Sequence, residues 1–355
     1  MASDELSLWT FSDAHVGTDA DRGRRSLAEA IRHSERGGAA GGEPFSWDVA
    51  LDLGDMSGSQ GLPDDAEGEL VVAQFAEALQ DHDREQIYDL AGNHDRSGLD
   101  QPEHWWWRRW VDPLGEHPSL SKVDASNRPF SIEGTAERYA FEVGNIRFLM
   151  MSDINEPSQT IGRGPLGGNP GGVVSGETFD WWKQQVESHQ DKILVSAHHY
   201  MLKDTTVASG EWEGLRRGAD GKWRTHYHGY KPQGSPKGAS YLYFVDSVPD
   251  ASAFESYLED HPGAIDLWLG GHTHTHPDDR HGGKSHIEQR WGVWFVNVSA
   301  LTAHHGHTSM PMSRVWSIDG NQARVRCYLH TSDHAPQGWY EPAERTLQLS
   351  KPFRW

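Results

Sequence analysis

Short apolar segments that end at glycine or at a polar residue recur along the chain, and this repetition limits the folds the sequence can adopt. LSLWTF precedes SDAH, WDVALDL precedes GDMSG, and QIYDLA precedes GNHD. Further on, IRFLMM precedes SD, KILVSA precedes HHY, and AIDLWL precedes GGHTH. Apolar runs of this length, bounded by Gly, Asp or Asn, are typical of buried β-strands. The pattern therefore predicts a sheet whose strands each end at a polar position.

Helical patterns lie between these segments. In residues 64–82, apolar side chains recur at the i, i+4, i+7, i+8 spacing of one buried helix face. A second helix is predicted over residues 176–189, with Ser175 as its N-cap, and a third over residues 250–260. Strands that alternate with helices indicate βαβ units and a largely parallel sheet.

Two segments instead predict antiparallel hairpins, because RYAFEVGNIRFLMM turns at Gly-Asn and RVWSIDGNQARVRCYL turns around Asp-Gly-Asn. The sequence has no internal repeat and no low-complexity linker. We therefore predict one domain over residues 1–355, with insertions at 99–138 and 203–240. The first insertion contains WWWRRW, which we interpret as an amphipathic helix with its tryptophans packed inward.

Composition excludes several classes of protein. The chain has 52 acidic and 32 basic side chains, a formal net charge of −20, so binding to nucleic acid or to an anionic membrane is not expected. Its single cysteine rules out an intrachain disulfide framework. The N-terminal residues do not resemble a secretory signal, and no apolar run approaches the about 20 residues of a membrane helix. A soluble, cytoplasmic protein is the expectation.

Potential metal ligands follow the predicted strands. In an open α/β sheet, ligands bind at the carboxyl ends of the strands, so we expect these distant residues to converge. They are Asp13, His15, Asp55, Asn93, His198, His272 and His274. Mixed imidazole and oxygen donors suit Mn, Fe, Zn, Co or Ni better than Mg or Ca. Seven ligands fit two ions, and the two oxygens of the Asp55 carboxylate could bridge them.

Five segments carry a resemblance to a known family: SDAH, LGDMSG, AGNHD, SAHH and GGHTH. In order and spacing they resemble the sequence blocks of the calcineurin-like metallophosphoesterase superfamily, over residues 13 to 274. The resemblance implies a four-layer αββα sandwich, with two mixed β-sheets flanked by helices. It also implies a metal-dependent hydrolase of phosphoester bonds with a dinuclear centre, in which a metal-bridging hydroxide attacks phosphorus in line.

The resemblance further implies a role for each residue. The ligands of the first metal would be Asp13, His15, Asp55 and His274, and those of the second Asp55, Asn93, His198 and His272. His94 matches the family's catalytic histidine, acting as an acid or charge stabiliser, and Asp95 is expected to orient it. The family's ligand in the SAHH block is normally the first histidine after the strand, which favours His198, with His199 as the alternative.

Differences between these motifs and those of related phosphatase groups narrow the range of expected substrates. After Asp55 the chain lacks the DRG of protein Ser/Thr phosphatases, and Gly58 stands where purple acid phosphatases carry tyrosine. What remains is the bacterial-type group that hydrolyses small, anionic phosphomonoesters or phosphodiesters. The alternatives are a nucleotide pyrophosphatase or nuclease on the same centre, or a non-catalytic scaffold on the same fold. A scaffold should lack ligands, whereas all seven positions are filled here.

Other polar segments have no counterpart in the family. The insertion at 203–240 begins beside a predicted ligand and is rich in Arg and Lys, so we expect either a lid that holds an anionic substrate or a solvated loop. We interpret His276 as a polar loop residue near the rim. The histidines at 226, 228, 304, 305 and 307 are expected at the rim or in the substrate pocket, rather than at a third metal.

Overall fold

The computed structural model describes most of the chain. The described residues are 5–59, 62–95, 105–154, 172–210, 215–217, 223–225, 241–246, 248–249, 251–280, 283–303, 310–331 and 335–355.

The first large sheet has seven strands in the order β18-β17-β16-β1-β2-β3, with β19 paired to β17. Strands β1, β2 and β3, at one end of this order, are parallel, whereas β16 and β17 form the antiparallel hairpin that the sequence predicts. The strands are β1 (Leu6–Phe11), β2 (Val49–Asp52), β3 (Ile87–Asp89), β16 (Met312–Asp319), β17 (Gln322–Leu329), β18 (Gly338–Trp339) and β19 (Arg345–Gln348).

The second large sheet also has seven strands, in the order β14-β15-β13-β8-β6-β5-β4. Strands β6, β8, β13 and β15 run parallel, and β5 pairs antiparallel with β6 as predicted. The strands are β4 (Glu133–Gly134), β5 (Arg138–Val143), β6 (Ile146–Met151), β8 (Ile193–His198), β13 (Leu267–Gly270), β14 (Ile287–Arg290) and β15 (Val293–Asn297). Smaller sheets are formed by β7 (Gly172–Val174), β11 (Leu242–Val245) and β12 (Val248–Pro249), and by β9 (Leu215–Arg217) and β10 (Trp223–Thr225).

The described residues include six α-helices. They are α1 (Ser26–Arg36), α2 (Asp65–Ala78), α3 (Trp106–Trp110), α4 (Pro118–Ser121), α5 (Gly176–Ser188) and α6 (Ala253–Asp260). Ser175 caps α5 as predicted, because its side chain accepts a hydrogen bond from the amide of Thr178. In the described part of the chain, no helix is both long and apolar enough to cross a bilayer.

The elements stack in four layers. Apolar side chains from both large sheets meet in one core between them, for example Leu51 and Trp316 from the first sheet and Phe148 from the second. Helices α1, α2 and α3 cover the other face of the first sheet, and α5 and α6 cover the other face of the second. The tryptophans of α3 are buried in the outer core, as expected for an inward-facing amphipathic helix. The predicted fold class, two mixed sheets flanked by helices, is confirmed.

Candidate metal centre

Two carboxylates lie where parallel strands of the first sheet end. Asp13 follows β1 and Asp55 follows β2, and both are buried. The two loops are joined by their backbones, since the amide of Asp13 donates to the carbonyl of Gly54 (2.8 Å) and that of His15 donates to the carbonyl of Asp55 (3.0 Å). These bonds bring the three side chains together, with His15 Nε2 3.6 Å from Asp13 Oδ1 and from Asp55 Oδ2.

The histidines after β13 reach Asp13 from the second sheet. The amide of His272 donates to Asp13 Oδ2 (2.8 Å), and His274 Nε2 lies 2.9 Å from Asp13 Oδ1. His274 Nε2 is also 3.2 Å from His15 Nε2. Asp13, His15 and His274 therefore present three ligand atoms to one point at the junction of the two sheets.

On the other side of Asp55 the structure places His199 rather than His198. His199 Nε2 is 3.2 Å from Asp55 Oδ2, and Asp55, His199 and His272 form a second group of possible ligands. The cause is the alternation of side chains along β8. Ala197 faces the core between the sheets, so His199 continues on the site-facing side. His198 instead follows Ser196, which accepts a hydrogen bond from Trp182 of α5 on the outer face.

The geometry thus favours His199, the alternative, over His198, the residue that the sequence favours, and the choice of ligand stays a prediction. The ring of His198 is buried, and its Nδ1 accepts a hydrogen bond from the amide of Tyr200 (3.0 Å). Burial and the neighbouring charge of His199 lower the pKa of His198 to about 3. The sequence does not show which of the two histidines faces the site, because both faces of β8 are buried.

Three histidines are oriented by backbone carbonyls. Nδ1 of His15 donates to the carbonyl of Ser57 (2.8 Å), Nδ1 of His94 to that of Ser59 (2.7 Å), and Nδ1 of His199 to that of Leu53 (2.8 Å). A carbonyl oxygen only accepts, so each Nδ1 carries a proton, and Nε2 is the ring nitrogen turned toward the carboxylates. Metal-ligating histidines are commonly held in this way, so the residues present fit a metal ion.

Asp55 belongs to two groups of possible metal ligands, since it also groups with His15 and His94. In each group the candidate donor atoms all lie within 4.8 Å of one another, and every member is buried. One carboxylate shared by separate imidazole groups suits a bridging ligand. Asn93 is buried in the turn after β3, next to His94, whose amide donates to Asp55 Oδ1 (2.8 Å).

Asp95, which is expected to orient His94, is buried beside the loops of the site. Its carboxylate accepts hydrogen bonds from the backbone amides of Asp55 (2.8 Å), Ser57 (2.8 Å) and Gly92 (2.7 Å). The ring of His94 is oriented by the carbonyl of Ser59 instead. Asp95 thus joins two site loops, and burial together with the charge of Asp55 raises its pKa to about 7.

Burial and mutual attraction shift the pKa values of the other buried groups. Burial alone would raise the pKa values of Asp13 and Asp55, but the surrounding histidines outweigh it and hold both well below their usual range. For His199, burial alone would lower the pKa, yet the charges of Asp55 and Asp13 raise it to about 10. For His272, burial and the charge of His199 hold the pKa well below its usual value. The carboxylates are therefore ionised and able to hold cations.

Residues 6–276 match the model of a family described as calcineurin-like phosphoesterase. The chain belongs to this family. The matched region is about three quarters of the chain and contains all five motif segments. The resemblance inferred from those segments is confirmed.

Solved structures similar to this phosphoesterase-family chain share little sequence with it. A conserved uncharacterized protein, a predicted phosphoesterase, from Streptococcus pneumoniae TIGR4 is 11% identical, with a TM-score of 0.35 and coverage of 98% of this chain and 99% of that chain. GAP50, the anchor in the inner membrane complex of Plasmodium, is 11% identical, with a TM-score of 0.49 and coverages of 98% and 90%. Vacuolar Protein Sorting 29 from Cryptosporidium parvum is 10% identical, with a TM-score of 0.35 and coverages of 99% and 100%. No curated protein matches the chain.

The structure describes only some of the other residues that the sequence singled out. His276 is in a loop as expected, but it is buried rather than at the rim, and its amide donates to Asp279 Oδ2 (2.7 Å). The histidines at 226, 228, 304, 305 and 307 lie outside the described residues, as does most of the 203–240 insertion. The lid therefore stays a prediction.

Proposed function

We propose that this chain is a metal-dependent phosphoesterase with a dinuclear centre that acts on small, anionic phosphomonoesters or phosphodiesters. The ligands of one ion are Asp13, His15, Asp55 and His274, and those of the other are Asp55, Asn93, His199 and His272. The two ions are transition metals such as Mn, Fe, Zn, Co or Ni, because the donors mix imidazole nitrogen with carboxylate and amide oxygen. Family membership supports phosphoester chemistry, and the substrate is our inference.

The observation that carries this proposal is the position of Asp55. Its carboxylate belongs to two groups of buried ligand atoms, and its Oδ2 lies 3.6 Å from His15 Nε2 and 3.2 Å from His199 Nε2. Carboxylates and imidazoles are costly to bury unless they pair with each other or with a metal. With ions bound, Asp55 would contact both, and the proton on His199 Nε2 would be released.

In this proposal the metal ions and His94 contribute different parts of the chemistry. A pair of such ions supplies an activated water and positive charge for the phosphoryl oxygens. His94 lies beside the ligands, with its ring centroid 4.7 Å from that of His15 and its Nε2 4.0 Å from Asp55 Oδ2. Because Nδ1 donates to the Ser59 carbonyl, Nε2 is the atom that would protonate a leaving alkoxide or stabilise charge.

The test combines metal analysis with hydrolysis. We expect chelator-treated protein to regain close to two ions per chain with Mn²⁺, and to hydrolyse chromogenic monoesters or diesters only when loaded. The relative rates on the two ester types would give the substrate class. A nucleotide pyrophosphatase would prefer dinucleotides, and a nuclease would cleave oligonucleotides. Full metal occupancy with no hydrolysis of any ester would contradict the enzymatic proposal and favour a scaffold. A cytoplasmic location of the protein stays a prediction that this experiment does not test.

A further inference from the structure

We propose that Glu67 is a positioning residue of this centre, which acts by holding the loop 57–59 in place. The inference rests on the proposed function, because the loop orients two residues that we assign to catalysis and metal binding. Glu67 lies in the first turn of α2, outside the groups of possible ligands. Among the described residues, Glu67 is linked to the centre through the backbone and hydroxyl groups of this loop.

The side chain of Glu67 accepts several hydrogen bonds from that loop. Its Oε1 accepts from Ser57 Oγ (2.9 Å) and from the amides of Gly58 (2.5 Å) and Ser59 (3.0 Å). Its Oε2 accepts from Ser59 Oγ (2.6 Å). Bonds to an ionised acceptor are about twice as strong as neutral ones, so one carboxylate can define the shape of a three-residue loop.

The same loop presents two carbonyls to the centre. Ser57 accepts from Nδ1 of His15 (2.8 Å), and Ser59 accepts from Nδ1 of His94 (2.7 Å). The side chain of Glu67 and the two imidazoles thus bind the same short segment, Glu67 through its donors and the histidines through its acceptors. The position of Glu67 fixes where these carbonyls point, and hence where each Nε2 points.

The two ends of the loop are not held equally. The amide of Ser57 also donates to Asp95 Oδ1 (2.8 Å), and Val16 pairs with Ser57 in an isolated β-bridge. At the Ser59 end, the bonds made by its amide and hydroxyl go to Glu67 and to Ser57 Oγ. Loss of Glu67 should therefore disturb the carbonyl that holds His94 more than the one that holds His15.

Glu67 also stands at the position where a capping box would have its glutamate. Asp64 is the N-cap of α2, and its side chain accepts from the amide of Glu67 (3.0 Å). Asp-x-x-Glu at a helix start is the pattern of a capping box, in which the glutamate would turn back to the cap. Here the glutamate points to the loop instead, so the pattern predicts the helix start and misses the link to the centre.

The experiment compares Glu67→Ala with Glu67→Gln and with Glu69→Ala in the full-length protein. Glu69 is an exposed glutamate two residues further along α2, so its variant matches the loss of charge. Metal content and kcat and KM on a chromogenic ester are measured on Mn²⁺-loaded protein. Amide exchange at residues 57–59 and thermal stability are measured on chelator-treated protein.

For Glu67→Ala we expect exchange at Gly58 and Ser59 to accelerate by about tenfold or more. We expect kcat to fall by about 10- to 100-fold while KM and bound metal change by less than about threefold, because the His94 end is the weaker one. Glu67→Gln, which keeps the acceptor oxygen, should recover most of kcat, and Glu69→Ala should behave as wild type. Thermal stability shows whether the loss of rate merely follows global unfolding.

Two results would overturn the inference. One is unchanged exchange at Gly58 and Ser59 in Glu67→Ala. The other is a fall in kcat that is equally large in Glu67→Gln, or a fall in kcat that the loss of bound metal or of thermal stability fully explains. Failure of the proposed function is distinguishable, because wild-type protein that hydrolyses no ester would contradict it, whereas the exchange arm still tests the contact between Glu67 and the loop.

Discussion

Five of the residues at the centre have a left-handed backbone: Asp13 (φ 54°), His15 (φ 38°), Asp55 (φ 57°), His272 (φ 65°) and His274 (φ 45°). Non-glycine residues rarely adopt positive φ, at a cost of order 1–3 kcal/mol each, and such residues cluster at functional sites. Here the positive φ values fall in the loops that follow β1, β2 and β13, where the chain turns sharply. The strain is the consequence of directing several side chains from separate loops to one point.

Asp55 should be indispensable for both ions, because its carboxylate lies between the two groups of ligands. Asp55→Asn replaces one charged oxygen with an amide nitrogen that cannot bind a cation. We expect the bound metal to fall well below two ions per chain and hydrolysis to collapse with it. Metal analysis of the purified variant tests this expectation, and two full-occupancy ions with near-normal turnover would contradict it.

His94 should affect the rate and leave the metal in place. Its imidazole is oriented by Ser59 and reaches the edge of the centre. We expect His94→Ala to retain both ions and its thermal stability while kcat falls by about 10²–10⁴-fold, the contribution of a general acid or a charge-stabilising group. Depleted metal with an unchanged rate per bound pair of ions would instead identify His94 as a ligand.

The neighbouring histidines at the end of β8 should behave differently. His199→Ala should deplete the second ion, because its Nε2 lies 3.2 Å from Asp55 Oδ2. His198→Ala should keep both ions and lose only stability, since the ring is buried on the outer face. Metal content and thermal unfolding of the two variants, measured side by side, decide between them. Metal loss in His198→Ala alone would restore the assignment made from the sequence.

At the scale of elements, strands were predictable because each apolar run ends at a turn residue. Segment LSLWTF is β1 to the residue, and IRFLMM is β6. What the sequence does not contain is which face of a strand meets the site when both faces are buried. Every residue of β8 is buried, so no polar alternation marks the face that His199 continues. The role of Ser59 was equally hidden, because it uses a backbone carbonyl that every residue has.

The contact between α2 and α3 is possible because residue 68 is glycine. A Cβ on Gly68 would overlap the ring of Trp110, whose Nε1 donates a hydrogen bond to Asp65 Oδ1 (3.0 Å). Alanine improves helix propensity by about 1 kcal/mol, but overpacking costs about 1–3 kcal/mol. We expect the clash to win, so that Gly68→Ala lowers the free energy of unfolding in denaturant titrations. Glu69→Ala, on the exposed face, is the control; a stabilised Gly68→Ala would show that α3 moves freely.

At the scale of the whole molecule, the centre lies between the two large sheets. Asp13 and Asp55 come from the first sheet, and His199, His272 and His274 from the second. The ions would therefore join two halves that also meet through apolar packing and through hydrogen bonds, such as the one from the His272 amide to Asp13. A substrate lid formed by residues 203–240 stays a prediction.

Metal binding should for that reason stabilise the entire fold. A ligand that binds only the native state contributes about 2.7 kcal/mol at a free concentration 100 times its Kd. We expect chelation to lower Tm by several degrees, and added Mn²⁺ to restore it in wild type but not in Asp55→Asn. Calorimetry of the two proteins with and without chelator measures the effect. An equal response to chelation in both would place the stabilising ions elsewhere.

The pairing of early with late residues also has a consequence in time. Asp13 and His274 are separated by 261 residues, and β1 pairs with β16 through Leu6 and Ile318. At a synthesis rate of about 5–20 residues per second, roughly 13 to 52 s pass between the two partners leaving the ribosome's catalytic centre. During that interval β1 has an open edge, and its aspartate lacks the histidine that later faces it. The nascent chain therefore has to wait for its C-terminal third before it can either close the first sheet or complete the proposed metal site.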